Sequence, residues 1–371
     1  MTEGIIFSKV VTKVAIDRGA LYGGHAVRGI GFYTRNLIAA LEKHKKVKLV
    51  EFGERCDVIH YPYFDLFFRT LPIRKKVKTV VTIHDVIPLI YPENYPAGIR
   101  GKIKFQIQKY ALRSVAQVIT DTEASKKDIV RFLGVPKDKV SVVHLAPANQ
   151  GKVINDKFFL SRVIEKYNLP SKFALYVGDV NYNKNIANLV KACAKNNLKL
   201  VVVGKQARNL DRGSDLRDLM GPMDWVRFLV GKDHPEEVHY GDLLSVFEKY
   251  EVMRLGYVEE RDLIAIYNLA AVYCQPSLYE GFGLPPLEAM MCGCPVVASR
   301  TQALVEVCDG AAMFFDPHDV SDMAEKIGMA LKDKVKRGEL EDKGKALVAK
   351  YSWEKVASKT AKVYEEVIGH E

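Results

Sequence analysis

The chain has 371 residues, 48% of them hydrophobic and 27% charged, with 55 basic against 45 acidic side chains and a net charge of +10. That length suits two domains better than one, and the apolar content is ample for two cores, which excludes a disordered or fibrous chain. No apolar run approaches the ~18 residues of a bilayer-spanning helix, and neither zinc-finger spacing nor the aromatic pair of an RNA-recognition sheet is present, so the positive charge does not point to nucleic acid.

Lys9 to Asp17 reads as the first strand and Arg18 to Arg28 as a glycine-rich loop. A helix follows from Gly29, because apolar residues at 30, 33, 37, 38 and 41 repeat with helical period. Gly29-x-Gly31 opening a helix after a strand is a weak phosphate-loop signal by itself, and a helix-packing turn gives the same pattern. Asp57 to His60 is a short strand end, and Thr79 to Ile83 an apolar strand that runs straight into His84-Asp85. In an open parallel sheet, residues just past a strand's C-terminus line the ligand crevice, so His84 is a candidate site residue. Asp85 either orients the imidazole or begins the turn. Ile99 to Ser114 is a basic amphipathic helix, with Ile103, Ile107, Tyr110 and Ala111 in one stripe and Arg100, Lys102, Lys104, Lys109 and Arg113 around it. The preferred reading packs that stripe on the core and solvates the charges; the alternative lays the helix on anionic lipid headgroups. Val115 to Thr120 is a strand, Asp121 starts a helix ending near Gly134, and Lys139 to Ala146 is the strand that closes the first domain.

Gln150 to Pro170 is polar and lacks a clean period at its start, as a linker would. Phe173 to Asp179 is a buried strand, Asn181-Tyr182-Asn183-Lys184-Asn185 a polar turn, and a helix runs on to Lys195. A strand, a turn carrying a lysine and a helix N-terminus make a phosphate site. Leu198 to Gly204 is a strand. Lys205 to Glu251 is long and mixed in charge, with a helix expected near Asp242 to Tyr250 and a mobile loop near Gly231 to Gly241. Val252 to Val258 is a strand and loop, and Asp262 to Ala271 a helix.

Ala271 to Gln275 is strand-like and stops at Pro276-Ser277, since Pro donates no ladder hydrogen bond and Ser favours turns. Glu280 then sits in a loop with Gly281 and Gly283, Pro285 and Pro286 suit a first helical turn, and the helix Leu287 to Cys292 ends at Gly293. Pro295 to Ser299 is the next strand. The helix start, with free N–H groups and the positive dipole end, suits an anion, and Gly283 has no Cβ to block its approach. Glu280 and Glu288 would repel a phosphate if aimed at it; they make better sense as acceptors for hydroxyls on either side of it. A phosphate between two hydroxyl-bearing groups describes a nucleotide-sugar. Further on, Ser352 caps a helix Trp353 to Ile368 whose apolar positions 353, 356, 360, 363, 364 and 367 form one stripe.

Glu280-Gly281-Phe282-Gly283-Leu284-Pro285-Pro286-Leu287-Glu288-Ala289-Met290, with Gly293-Cys294-Pro295-Val296-Val297-Ala298-Ser299 behind it, resembles the signature of the retaining glycosyltransferases of family GT4. The resemblance implies an α/β GT-B fold: two Rossmann-like doubly wound domains facing across a cleft, with a C-terminal helix crossing back to the N-terminal domain. The domains expected are 1–165 for the acceptor, 166–350 for the nucleotide-sugar donor and 351–371 for the returning helix. The resemblance also implies that Glu280 lies against the donor sugar, that Glu288 holds the ribose hydroxyls and that the amides of Phe282, Gly283 and Leu284 meet the diphosphate. Gly29 and Gly31 would face the diphosphate from the other domain, Tyr257 and Val258 would hold the base, and His84 would bind donor or acceptor near the reacting centre. The family's Pro-Arg-Lys-Asn turn is matched at Lys184 and Asn185, but Asn183 stands where Arg is usual.

The reaction so implied moves a hexosyl group from a GDP-, UDP- or ADP-hexose to an acceptor hydroxyl on a glycan, a lipid-linked or a small molecule, with retention, in surface polysaccharide or glycoconjugate synthesis. No nucleophile presents itself, so same-face attack by the acceptor, steered by a leaving phosphate oxygen, is expected. Lys184 and the positive helix end would offset charge on the leaving diphosphate. No Asp-x-Asp motif follows a strand in the expected manner, and neither a metal nor another cofactor is expected. Six cysteines, at 56, 193, 274, 292, 294 and 308, are scattered without zinc-ligand spacing, which fits reduced thiols in a cytoplasmic protein. Glu3 and Lys9 bracket too short an apolar run for a signal peptide, and peripheral contact with an anionic membrane is compatible with the charge. Asn183 keeps two other readings open: a sugar-nucleotide-binding protein with weak or no transfer, and a GT-B isomerase acting on a nucleotide-sugar.

Overall fold

In the computed structural model, residues 11–22, 29–147, 152–210 and 234–369 are described. The chain divides into two compact units, one of Met1–Val86, Ile99–Ala146 and Tyr351–Glu371 and the other of Ile87–Gly98 and Pro147–Lys350. The α/β architecture matches the GT-B expectation: each unit is built on an all-parallel six-stranded sheet.

In the first unit, β1 (Thr12–Ile16), β2 (Val47–Val50), β3 (Val58–Tyr61), β4 (Lys78–Thr82), β5 (Gln117–Thr120) and β6 (Val140–Val142) pair in the order β2-β1-β3-β4-β5-β6. Parallel neighbours need crossovers, and parallel strands buried on both faces read as continuous apolar runs. Val14, Val58, Val80, Val81, Val118 and Ile119 are accordingly buried. The edge strand β2, Val-Lys-Leu-Val, carries too short a pattern to be foreseen. Helix α1 (Gly29–Glu42) buries Tyr33, Leu37, Ile38 and Leu41 as its period requires, while 23–28 of the preceding loop lie outside the described residues.

After β4 come α2 (Ile87–Ile90), which belongs to the second unit, and α3 (Gly98–Leu112), which belongs to the first from Ile99 onward. Helix α3 corrects the preferred reading. Ile103, Ile107 and Tyr110 face solvent, together with Ile99, and the buried side is Gly101, Gln108, Ala111 and Leu112. The anchor is the buried Gln108 amide, which donates to Thr70 Oγ1 at 2.9 Å and to the Asp65 carbonyl at 3.3 Å. Helix α4 (Glu123–Asp128) is capped by Thr122, whose Oγ1 accepts from the Ser125 amide at 3.0 Å, and it runs into a π-helical stretch, Ile129–Leu133, that ends at Gly134.

The second unit holds α5 (Lys157–Tyr167), β7 (Phe173–Val177), α6 (Ile186–Lys195), β8 (Lys199–Val203), α7 (Lys205–Asn209), α8 (Pro235–Lys249), β9 (Met253–Gly256) and α9 (Glu260–Leu269). It continues with β10 (Val272–Gln275), α10 (Leu284–Met291), β11 (Val296–Ser299), α11 (Gln302–Cys308), β12 (Met313–Phe315), α12 (Val320–Lys332) and α13 (Lys334–Val348). The sheet runs β12-β11-β10-β7-β8-β9. Tyr176, Val202, Phe247, Phe315 and Ile327 centre its core. The stretch read as a linker contains α5. Asp156 caps it, and its far end is tied to Asp262 of α9 by Lys166 at 2.6 Å and Tyr167 at 2.9 Å. The loop expected at Gly231 to Gly241 is corrected too: α8 begins at Pro235 and includes Gly241, because Pro suits a first helical turn and His234 caps the Glu236 amide. Residues 211–233, with the start of that expected loop, lie outside the described residues.

The last helix, α14 (Trp353–Gly369), packs against α1 in the first unit, and all six positions of its expected stripe are buried. It enters a buried polar chain. Tyr364 Oη lies 2.7 Å from His60 Nδ1, His60 Nε2 lies 2.8 Å from Thr82 Oγ1, and Thr82 Oγ1 lies 3.0 Å from Tyr33 Oη. Burial, then the nearby His84, pushes His60 down to about 3, so it is neutral in the folded protein.

Candidate functional site

A doubly wound sheet presents its ligand crevice beyond the strand C-termini where the strand order reverses. In the second sheet that point lies between β7 and β10, from which β8 and β11 depart in opposite directions. The turn after β7 carries Asn183, Lys184 and Asn185; the loop after β10 carries Glu280, Phe282, Gly283 and Leu284. The topology thus brings two stretches almost a hundred residues apart to one place.

They meet through an ion pair. Lys184 Nζ lies 2.8 and 2.9 Å from the two carboxylate oxygens of Glu280. Glu280 Oε1 also accepts from Gln275 Nε2 at 2.7 Å and from Ser277 Oγ at 2.6 Å. In this network Gln275, Ser277 and Glu280 are buried, Glu280 only 7% exposed, while Lys184 stays partly open to solvent. Gln275 and Ser277 carry no signal in the sequence beyond polarity at a strand end, and nothing there identified them as supports.

Asn183 is spent on architecture. It is 2% exposed, its Oδ1 accepts from Tyr95 Oη at 2.6 Å, and its Nδ2 donates to the Tyr279 carbonyl at 3.2 Å. Its backbone carbonyl accepts from the Leu278 amide at 2.8 Å. Tyr95 and Tyr91, whose Oη lies 3.4 Å from the Leu278 carbonyl, come from the Ile87–Gly98 segment, so that segment braces both loops. Asn185 adopts a left-handed conformation, φ 57°, and its Nδ2 bridges the carbonyls of Pro276 at 3.0 Å and Pro317 at 2.8 Å. The start of α6 is thereby fixed with its first amides unclaimed by helix bonding.

Helix α10 begins three residues earlier than expected, at Leu284. Gly283 is its N-cap at φ 100°, where an added Cβ would also come within 2.6 Å of Leu304 Cδ2. Pro285 and Pro286 then occupy its first turn and contribute no N–H. The amides left for an anion are those of the loop and of Leu284, while the dipole still points to the same spot. Phe282 is buried and packs the loop. Glu288 is half-buried on α10 and accepts from Tyr267 Oη at 3.0 Å; burial pushes its carboxyl above the usual range, against the pull of that hydrogen bond. Past β9, Tyr257 is 70% exposed and Val258 is buried.

In the first unit His84 follows β4 as expected, but its partner is Asp121, not Asp85. His84 Nδ1 lies 2.8 Å from Asp121 Oδ2. Asp121 is free for this because Thr122, one residue on, does the helix capping. Burial disfavours the imidazolium, yet the charge and hydrogen bond of Asp121 outweigh it and raise His84 above its ordinary value. Tyr33 packs edge-on against the ring at 4.7 Å. Gly29 opens α1 and Gly31 is buried within it. The candidate residues therefore form two groups. One is Gly29, Gly31 and His84 in the first unit; the other is Asn183, Lys184, Asn185, Tyr257, Val258, Glu280, Phe282, Gly283, Leu284 and Glu288 in the second.

Comparison with known proteins gives a consistent picture. Residues 159–347 match the family described as glycosyl transferases group 1, and residues 14–146 match glycosyltransferase family 4. A serotype-specific mannosyltransferase of Escherichia coli, WbdA, is 31% identical over 287 residues, covering 76% of this chain and 32% of that protein. The O-antigen chain mannosyltransferase B of Escherichia coli is 28% identical over 296 residues, covering 77% of this chain and 70% of that one. The structure of Anabaena HepE in complex with UDP and glucose superposes with a TM-score of 0.68 at 14% identity, over 96% of this chain and 100% of that one. The chain thus spans about a third of the length of the first curated relatives it matches.

Proposed function

Because the chain belongs to the glycosyl transferases group 1, we propose that it moves a hexosyl group from a nucleotide-sugar to an acceptor hydroxyl in polysaccharide synthesis. Mannose is the sugar favoured by the names of the Escherichia coli relatives, and the UDP held by HepE supports a nucleoside diphosphate as the carrier. Retention of configuration, independence of metal and a cytoplasmic setting belong to the same reading, with a glycan or lipid-linked acceptor.

The observation that carries it is the Lys184–Glu280 pair, set at the reversal point of the second sheet between the starts of α6 and α10. Lys184 has three N–H bonds; two serve Glu280 and the third is available to a phosphate oxygen. Its charge and the two helix dipoles offset the charge that grows on the leaving diphosphate, and they are held in place before the reaction begins. Glu280 accepts from donor hydroxyls and Glu288 from the ribose. Asn183, in place of Arg, positions this turn instead of touching the donor. His84, oriented by Asp121, is the first unit's candidate group for the acceptor.

Calorimetry with UDP, GDP and ADP tests the site directly. One of the three is expected to bind, and Lys184→Ala is expected to weaken it about tenfold or more, the worth of a charge-assisted hydrogen bond. Affinity unchanged in Lys184→Ala would remove the lysine from the site.

The raised carboxyl of Glu288 gives a pH signature. A protonated carboxyl is a poorer acceptor for ribose hydroxyls, so nucleoside diphosphate affinity is expected to fall as pH drops through that raised value, above the ~4.3 of an ordinary Glu. The fall disappears in Glu288→Gln, which binds weakly at every pH. An identical pH profile in wild type and Glu288→Gln counts against the ribose role.

A further inference from the structure

We infer that the outer face of α3 and the loop before it form a docking surface for an anionic phospholipid bilayer. Ile99, Ile103, Ile107 and Tyr110 are 58, 57, 38 and 58% exposed. At 100° per residue these four fall on one ridge about 16 Å long, with Arg100 and Lys104 along one flank and Lys102 and Arg113 along the other. The adjoining loop extends the ridge: Phe68 is 63% exposed and Ile73 37%. Gln108 binds Thr70 and the Asp65 carbonyl, Ser114 Oγ donates to the Ile73 carbonyl at 3.4 Å, and Lys104 Nζ stands 4.8 Å over the Phe68 ring. Helix and loop are one surface.

Charge identifies the occupant. Residues 66–78 carry five basic side chains and residues 98–113 another five, with no acidic residue in either stretch. Ten charges from two short stretches match the net +10 of the whole chain, so the rest of the protein is balanced and its excess sits here. Lys75 and Lys109 turn inward to the Ala111 and Phe132 carbonyls. Arg69, Arg74, Lys76, Arg100, Lys102 and Lys104 remain exposed. An apolar ridge between two basic flanks is the arrangement of a helix lying in a membrane interface, the ridge at the acyl boundary and the cations among headgroups. Protein–protein interface cores, by contrast, are depleted of Lys. No helix among the described residues is long and apolar enough to cross a membrane, so attachment through this face is of the peripheral kind.

Flotation of the full chain with phosphatidylcholine vesicles, with and without one third phosphatidylglycerol, tests this without any nucleotide-sugar present. Failure here therefore leaves the donor site untouched, and failure of nucleoside diphosphate binding leaves this face untouched. Wild type is expected to float with the anionic vesicles only, and less in high salt. A basic residue at an anionic surface is worth about fivefold in partitioning, so Lys102→Glu with Lys104→Glu is expected to lower binding at least about 25-fold. Ile103→Glu with Ile107→Glu is expected to lower it by at least as much. All four positions are exposed, so both variants are expected to melt like wild type. The inference is overturned if wild type ignores anionic vesicles, if it floats equally with neutral ones, or if both variants float like wild type. It is overturned equally if wild type sediments as an oligomer that Ile103→Glu dissociates, since the face would then receive a second copy.

Discussion

Glu280→Gln is expected to lower turnover in sugar transfer by about 10²–10³-fold, the usual effect of removing one preorganised polar group from a reacting centre, while nucleoside diphosphate affinity changes little. The substitution keeps the size of the side chain but removes the charge facing Lys184. It also places an amide group where three donors converge: Lys184 Nζ, Gln275 Nε2 and Ser277 Oγ. At least one of these buried donors must then lose its acceptor or face another donor, and the side chain cannot hold the hexose hydroxyls as before. Steady-state kinetics with the nucleotide-sugar of whichever nucleoside diphosphate binds, beside calorimetry with that nucleoside diphosphate, separates the two effects. Transfer at the wild-type rate would remove Glu280 from the chemistry. Tight binding with no turnover in the wild type as well would favour a binding protein over an enzyme.

Gly204→Ala is expected to be the most damaging single methyl group in the second unit. Gly204 ends β8, beside Gly178 at the end of β7, and its amide donates to the Gly256 carbonyl at 2.9 Å while the Gly178 amide donates to the Val203 carbonyl at 2.9 Å. A Cβ on Gly204 would stand 2.2 Å from the Gly178 carbonyl oxygen. No flexible side chain can give way there, so strands must part at the edge that holds the Lys184 turn. Overpacking against backbone places the cost at the upper end of the usual range, on the order of 3 kcal/mol. That corresponds to a fall of roughly 10 °C in the Tm of a unit this size. The same shift is expected to weaken nucleoside diphosphate binding. A Tm within about 2 °C of wild type would show that the close approach is not rigid.

The loop after β10 was readable because its information is local. A proline-stopped strand, a glycine loop, paired prolines and a glycine-stopped helix specify strand, loop, helix and strand within thirty residues. What the residues could not reveal are partners brought in by the fold. Asp121 lies 37 positions from His84, and Tyr95 lies 88 positions from Asn183. Asp85, next to His84 in the chain, was the local candidate and not the partner. Periodicity correctly placed Ile103, Ile107 and Tyr110 on one face of α3, but period says only that residues share a face, not what that face meets; the buried Gln108 decided it. Paired prolines correctly signalled a first helical turn, and only the helix start, Leu284 instead of Leu287, was missed. The Lys205 to Glu251 stretch has no strong pattern; its described residues form α7 and α8, and α8 begins seven residues before the helix expected at Asp242.

The hydrogen bond between His60 and Tyr364 spans 304 positions of chain. During synthesis, at about 5–20 residues per second, the six strands of the first sheet leave the ribosome some tens of seconds before the helix that completes them. Throughout that interval α1 lacks its neighbour, and the His60 ring lacks the partner that satisfies it. The first sheet must therefore wait while the entire second sheet is translated, and its core is completed only once residues 353–369 have emerged.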